Sequence, residues 1–404
     1  MPETLSLAEL AGAISGGAAA LRSITTLQPI EGEGGKVFPA TYSGGKYAFE
    51  KRRLGEGEKE HEVECVLLNS VQSEANHAEL ALLTAIELGQ VKLPLIEVDF
   101  SEANKQFKKD LPNLTSLEVP HRLADAILRD SVLPDGTRFS TSEYAARWRR
   151  ANIWNAAAIY ELCPTALTFG MWGSPEKPGG LGAKFERAYI SEIIAVDTLP
   201  ENGRSGFRVD PIAASKLALV VRGADGGFHL AQEGESKAIP PSKINHGNIP
   251  FESANGGIRC RFAEQTTVVS FGALRKLRFP RAGKADPSRD NAAQTVLAAI
   301  GLCAGVLASE RGTSLRSRCA LRPIAPRVWE LLDRPGKVPK PITYSISGEA
   351  AIKLLNEAID AAKDAKLGLA WKEDKLQLKP SPELVELIRT SQERMALKDE
   401  SEEE

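Results

Sequence analysis

Residues 68–88 read LNSVQSEANHAELALLTAIEL, and the reading of this stretch decides the fold class. Upstream, from 21 to 68, short β-like runs alternate with glycine clusters (Gly32/Gly34/Gly35, Gly44-Gly45, Gly55/Gly57). That pattern reads as hairpins with a charged tip at Lys51 to Glu64. From Val71 the apolar period changes. Val71, Ala75, Ala78, Leu82 and Ile86 fall 4, 3, 4 and 4 positions apart, which is one stripe of a helix. Asn69 or Ser70 is placed to cap it, because a short polar side chain there accepts from the free N–H groups of the first turn. The opposite side carries Gln72, Ser73, Asn76 and His77, which is polar but is not the usual Lys/Glu solvent coat.

Outward from this helix the chain alternates strands and helices without a regular period. Residues 1–20 form an Ala-rich opening helix ended at Gly16-Gly17, and Leu93 to Val98 is a short strand. Pro120 opens a second helix, HRLADAILRD, with Leu123/Ala124 and Ile127/Leu128 inward and Arg122, Asp125 and Arg129 on the opposite face. A helix is expected at 152–163, after the basic run Arg147-Trp148-Arg149-Arg150. Five glycines and two prolines then fall between Gly170 and Gly182. Strands are expected at 217–222, 227–231, 257–263 and 266–271, a buried Ala/Gly helix at about 290–308, and an arginine-loaded strand from Leu315 to Leu321. After a strand at 342–347 and an amphipathic helix at 348–366, a short helix beyond Pro380-Ser381-Pro382 leads into an acidic tail. No repeat of 20–50 residues is visible. The class is α+β with long insertions, divided as a body over 1–340, a strand–helix extension over 341–390 and a disordered tail over 391–404.

The chain's 404 residues carry a net charge of −2, but unevenly. From Arg259 to Lys340 sixteen Lys/Arg stand against six Asp/Glu, a local +10, so the remainder carries −12. The last fourteen residues hold six acids and two bases. Five widely spaced cysteines (65, 163, 260, 303, 319) without a C-x-x-C pair make neither a disulfide framework nor a zinc site. The N-terminus lacks a basic segment followed by an apolar one, and Ala292 to Ala308 is too short and too rich in Ala and Gly for a membrane span. A cytoplasmic protein is expected.

Enzyme motifs fail one after another. In GSPEKPGGLGAKF, Ala183 separates Gly182 from Lys184 and Phe185 stands where a phosphate loop needs its hydroxyl. No dinucleotide fingerprint and no G-x-S-x-G elbow occur, and His61-Glu62 lacks a second histidine at helical spacing. His77, His121, His229 and His246 have no ligand-like neighbours. His121 and Asp125, four apart, read either as a proton-transfer pair or as a surface hydrogen bond. No catalytic residue, metal or cofactor is therefore expected. What survives is basicity: Arg275, Lys276, Arg278, Arg281, Lys284 and Arg289, then Arg316 and Arg318 on one face of a strand. Two readings stand, a phosphate-binding groove and a solvated basic surface paired with the acidic remainder. With aromatics at 6%, tracking of a phosphate backbone is favoured over recognition by many stacked bases.

Seven motifs in order, LQPIEGEGGKVFPATY, LNSVQSEANHAE, PHRLADAILRDS, LCPTALTFGMW, GGLGAKFERAYISEI, FRVDP and LRSRCAL, resemble the CRISPR-associated RAMP backbone subunit of the type I-G (formerly I-U) effector complex, of the Cas-seven group. The resemblance covers about residues 5–325. It implies an RRM-like, ferredoxin-type palm with a β-hairpin thumb and large helical insertions. It also implies copies arrayed head to tail along a CRISPR RNA, target DNA paired through the guide, and contacts with a large subunit and an end-capping or processing subunit. Such a subunit is not itself an enzyme; the alternative is a metal-dependent RNA-processing endonuclease using the His121/Asp125 helix. The thumb is expected at 28–60, with the Gly170–Gly182 loop as the other candidate. Carried onto this chain, the RNA-binding positions are Ser70, Gln72, Asn76, Arg122, Arg129, Lys184, Arg187, Arg275, Lys276, Arg278, Arg316 and Arg318. Arg122 and Arg187 read equally as members of buried ion pairs.

Overall fold

A computed structural model describes residues 4–55, 57, 60–173, 183–212, 214–223, 227–333, 341–364 and 375–402. The labelled elements are α1 (Leu7–Gly16), β1 (Ala20–Pro29), β2 (Phe49–Leu54), β3 (His61–Asn69), α2 (Val71–Glu87), β4 (Tyr189–Arg208), β5 (Ile249–Ser270), α3 (Pro287–Glu310), β6 (Thr313–Arg316), β7 (Cys319–Pro323), α4 (Gly348–Asp364) and α5 (Pro382–Glu402). The strands form one antiparallel sheet in the order β6-β7-β1-β5-β4-β3-β2. Helix α2 lies between β1 and β4 in sequence, and α3 lies between β5 and β7. The chain is thus a mixed α+β fold.

Alternation along the strands fixes which face is buried. In β1, Leu21, Ser23, Thr25 and Leu27 are buried while Ile24 between them is exposed. The partner register, Leu21 with Val269 and Leu27 with Ala263, continues the same face onto β5. That inner face carries the helices. Helix α3 starts with Asp286, whose side chain accepts from the Arg289 N–H, followed by Pro287, which has no N–H to leave unsatisfied. Its apolar run is buried from Ala293 to Val306, the signature of a core helix. By length and composition alone it is the one helix among the described residues able to cross a membrane. Gly305 lets it approach the sheet closely. A Cβ there would stand 2.9 Å from the Tyr189 ring.

The inner face is not uniformly apolar. Glu74 on α2 is buried and accepts from Asn69 (2.5 Å), the Ser191 hydroxyl (3.0 Å) and Gln265 (2.6 Å). Arg327 in turn donates to Gln265. A buried carboxylate is tolerable because all these donors converge on it. The capping alternatives are resolved by the same contacts. Ser70 caps α2 by accepting from Ser73 N–H, and Asn69 serves the buried carboxylate.

Strands β4 and β5 are far longer than the sheet. They pair from Tyr189–Val269 to Arg208–Ile249, with a register shift between Pro200 and Asn202. Beyond that shift no third strand joins them among the described residues, so a two-stranded ribbon projects from the sheet. At its root Glu201 accepts from Lys36 (2.9 Å) and Arg259 (2.8 Å). At its end a small hairpin pairs Val220–Arg222 with Phe228–Leu230. Phe207, Val209, Ile212, Leu217 and Leu230 are exposed there.

Several expectations are corrected. The 28–60 candidate for the thumb contains the edge hairpin of the sheet: Phe49 and Glu50 sit opposite Val66 and Cys65, which also pair with β4, whereas Lys51–Leu54 pair with His61–Glu64 alone. Residues 174–182 of the glycine loop lie outside the described residues. The two strands expected at 257–263 and 266–271 are one strand. The helix expected from Pro120 is broken into a turn at Arg122–Ala124 and another at Ala126–Arg129. The break has a local cause: Arg122 sits at φ +51 and Asp125 is extended. Asp125 accepts from the backbone N–H groups of His121 (3.0 Å) and Ile127 (2.9 Å) and so stabilises the turns themselves. Residues Leu315 to Leu321 are two strands, β6 and β7, joined at Ser317-Arg318, where Arg318 takes φ +58. Arg316 and Arg318 therefore do not share one strand face. Helix α5 runs to Glu402, through the stretch expected as a tail, with Arg389 paired to Glu386 and Glu393 on successive turns.

Candidate functional site

A cleft of about 470 Å³ opens at the start of α2. Gln72 and Asn76 line it from the exposed side of the helix. Pro120, His121 and Arg122 line it from the broken turn, and Gly170 to Trp172 and Lys184 to Arg187 from a small antiparallel pair of strands.

Its floor is an ion pair. Arg122 donates to both oxygens of Glu79, at 2.6 and 2.7 Å, and to the Gly170 carbonyl at 2.9 Å. The side chains of Arg122 and Glu79 are 9% and 2% exposed. Burial pushes the Glu79 carboxyl up, and the guanidinium opposes that shift. The Arg122 guanidinium also lies 5.5 Å from the Phe169 ring centroid. Gly170 has φ +85, and a Cβ on it would stand 2.7 Å from Cγ of Arg187. Only glycine permits both the turn and the close passage of that arginine.

Arg187 is half-buried and has no hydrogen-bonded partner among the described residues. Burial, and then the neighbouring Arg122, depress its pKa below the usual guanidinium range. Lys184 is exposed and stands 5.9 Å from the Trp172 ring centroid. The acids at the cleft are already matched: Glu79 by Arg122, and Glu186 by Lys276 at 2.6 Å. Among the described residues no carboxylate stands within ion-pair distance of Lys184 or Arg187, which lie beside the two neutral amides.

The structure therefore brings Gln72, Asn76, Arg122, Lys184 and Arg187 to one place, with Lys276 attached through Glu186. Ser70 stands just before them as the helix cap. The other expected positions do not line the cleft. Arg129 pairs with Asp130, and Arg275 donates to the Ile14 and Ala18 carbonyls at the end of α1. Arg278 pairs with Asp290 at 2.9 Å. Arg316 donates to the Leu68 carbonyl at 2.9 Å, and the Arg318 guanidinium stacks 4.6 Å from the Phe38 ring centroid. Sequence reasoning missed Glu79, Gly170 and Trp172. Glu79 stands next to Ala78 on a helix flank of small residues, and Trp172 ends the LCPTALTFGMW motif. Among the described residues no three His, Cys, Asp or Glu side chains stand together as a metal site.

Residues 21–200, which include every residue lining this cleft, match the model of a family of CRISPR-associated proteins. The family is described as CRISPR-associated protein GSU0053. The match supports a CRISPR association for this chain. No curated protein matches it.

Proposed function

We propose that the chain is a CRISPR RNA-binding backbone subunit of a type I, Cascade-like complex of the I-G kind. It is cytoplasmic and not itself an enzyme. Several copies line up head to tail along the guide, leave target DNA to pair with the guide, and meet a large subunit and an end-capping or processing subunit. The observation that carries this reading is the cleft, where Lys184 and Arg187 stand uncompensated beside Gln72 and Asn76. Cations of this kind neutralise phosphates, and amides suit phosphate and sugar oxygens, without selecting a base.

Three features of the fold support it. The strand order β7-β1-β5-β4, with α2 between β1 and β4 and α3 between β5 and β7, fits the order expected of a ferredoxin-type, RRM-like palm. The projecting β4–β5 ribbon takes the role of thumb. At about 3.3 Å per residue an extended chain from Arg187 to Arg208 spans about 70 Å, so the ribbon's end lies far from its own cleft. That separation suits a thumb acting on the guide held by a neighbouring copy. The sheet's outer face is a poor RNA surface, because Arg52 there is held among Glu50, Glu192 and Glu264.

The test is binding of the purified chain to unrelated single-stranded RNAs across a salt series. Similar affinities with a steep negative salt slope are expected. Affinity that ignores salt would overturn the proposal.

A further inference from the structure

We propose that Trp172 is a base-stacking platform, so that the cleft takes one nucleotide of a single strand with its phosphate on the cations and its base on the indole. The inference rests on the nucleic-acid reading of the cleft and goes beyond it by naming how a base is received.

Trp172 is 66% exposed, an unusual state for the largest apolar side chain. It is nevertheless firmly placed. Met171 and Trp172 pair with Phe185 and Lys184, and the Gly173 N–H donates to the Ala183 carbonyl at 2.8 Å. Met171 and Phe185, the alternate residues of this ladder, are buried and pin it to the body. The indole lines the cleft as a solvent-facing plate on a backbone held by this ladder, with Nζ of Lys184, its cross-strand partner, 5.9 Å from the ring centroid. An aromatic face between a cation and open solvent suits a flat heterocycle, whose π-face stacks whatever the base. Arg187, on the same short segment as Lys184, supplies the charge for the adjoining phosphate. An isolated anion would use the two cations and leave the indole idle. A nucleotide uses all three. The low aromatic content is consistent with this role, since one platform per copy needs only one tryptophan.

The experiment compares an oligouridylate with an abasic ribose–phosphate oligomer of equal length, binding to the full chain and to Trp172→Ala and Trp172→Phe. The wild-type chain is expected to prefer the base-bearing oligomer by about 5- to 150-fold, the range of one lost base–aromatic stack. Trp172→Ala should bring that ratio close to unity, and Trp172→Phe should keep most of it. A ratio unchanged in Trp172→Ala, or no preference in the wild-type chain, overturns this inference while leaving the anion cleft intact. Binding of neither oligomer by the wild-type chain overturns both.

Discussion

Replacing Glu79 by Ala tests the floor of the cleft. The carboxylate receives two hydrogen bonds from Arg122 at 2.6 and 2.7 Å, and both side chains are over nine-tenths buried. Its removal leaves a buried guanidinium holding only the Gly170 carbonyl, with Arg187 as a second cation close by. Removing one partner of a buried pair costs about 3–5 kcal/mol, because the remaining charge is stranded. A whole domain is stable by only about 5–15 kcal/mol, so the loss is a large fraction of the total. Urea denaturation followed by circular dichroism would read it as a lower midpoint at an unchanged slope. The double variant Glu79→Leu/Arg122→Met should recover most of the loss, since no charge is then left behind. A cost for Glu79→Ala below about 1 kcal/mol, as for an exposed pair, would refute the assignment of this ion pair to the floor.

Other outcomes follow from particular contacts. Gly170→Ala should displace Arg187 and weaken RNA binding as Arg187→Ala does, because its Cβ would fall 2.7 Å from Arg187 Cγ at a φ of +85; the two variants' dissociation constants make the comparison. The hydrogen bonds from Lys36 and Arg259 hold the Glu201 carboxyl below the usual range, so its contribution is present above the unfolded value of about 4.3 and is lost as pH falls through the lower folded value. The protection factors of the amides at residues 36–37 and 258–259, the ribbon's root, should fall in acid once the slower intrinsic exchange is divided out, and Glu201→Gln should lower them already at neutral pH. All five cysteines are buried, with Cys260 pushed up to about 11 and Cys303 to about 12 by desolvation. A colorimetric thiol reagent at mildly alkaline pH should therefore modify none in the folded chain and all five after denaturation.

How much of this was legible in the sequence follows from the range of each interaction. Helix α2, its cap and its apolar stripe rest on neighbours a turn away, and the spacing from Val71 to Ile86 displayed them directly. The core helix α3 was legible from its uncharged Ala/Gly run. Gln72 and Asn76 were visible as an unusual polar face, although their partners across the cleft were not. The ribbon was hidden because its strands, Tyr189–Arg208 and Ile249–Ser270, are separated by a long insertion and carry irregular alternation. The pattern HRLADAILRD is helical in period, yet it is broken where Arg122 takes φ +51 and the Asp125 side chain accepts from the His121 and Ile127 N–H groups. Glu79 itself reads as an ordinary surface acid until the turn packs against α2. The local charge of +10 over 259–340 pointed to a basic surface, but its arginines mostly cap, pair or stack within the fold. The uncompensated cations of the cleft lie outside that block.

The salt dependence of single-stranded RNA binding by Lys184→Ala/Arg187→Ala, set against the unaltered chain, bears most directly on the central claim. Two lost phosphate contacts should flatten the slope of log affinity against log salt by about 1.4, at about 0.7 per contact on a single strand, and equally for unrelated RNAs. A slope unchanged by the double variant would contradict the account, and so would a change that differed from one RNA sequence to another.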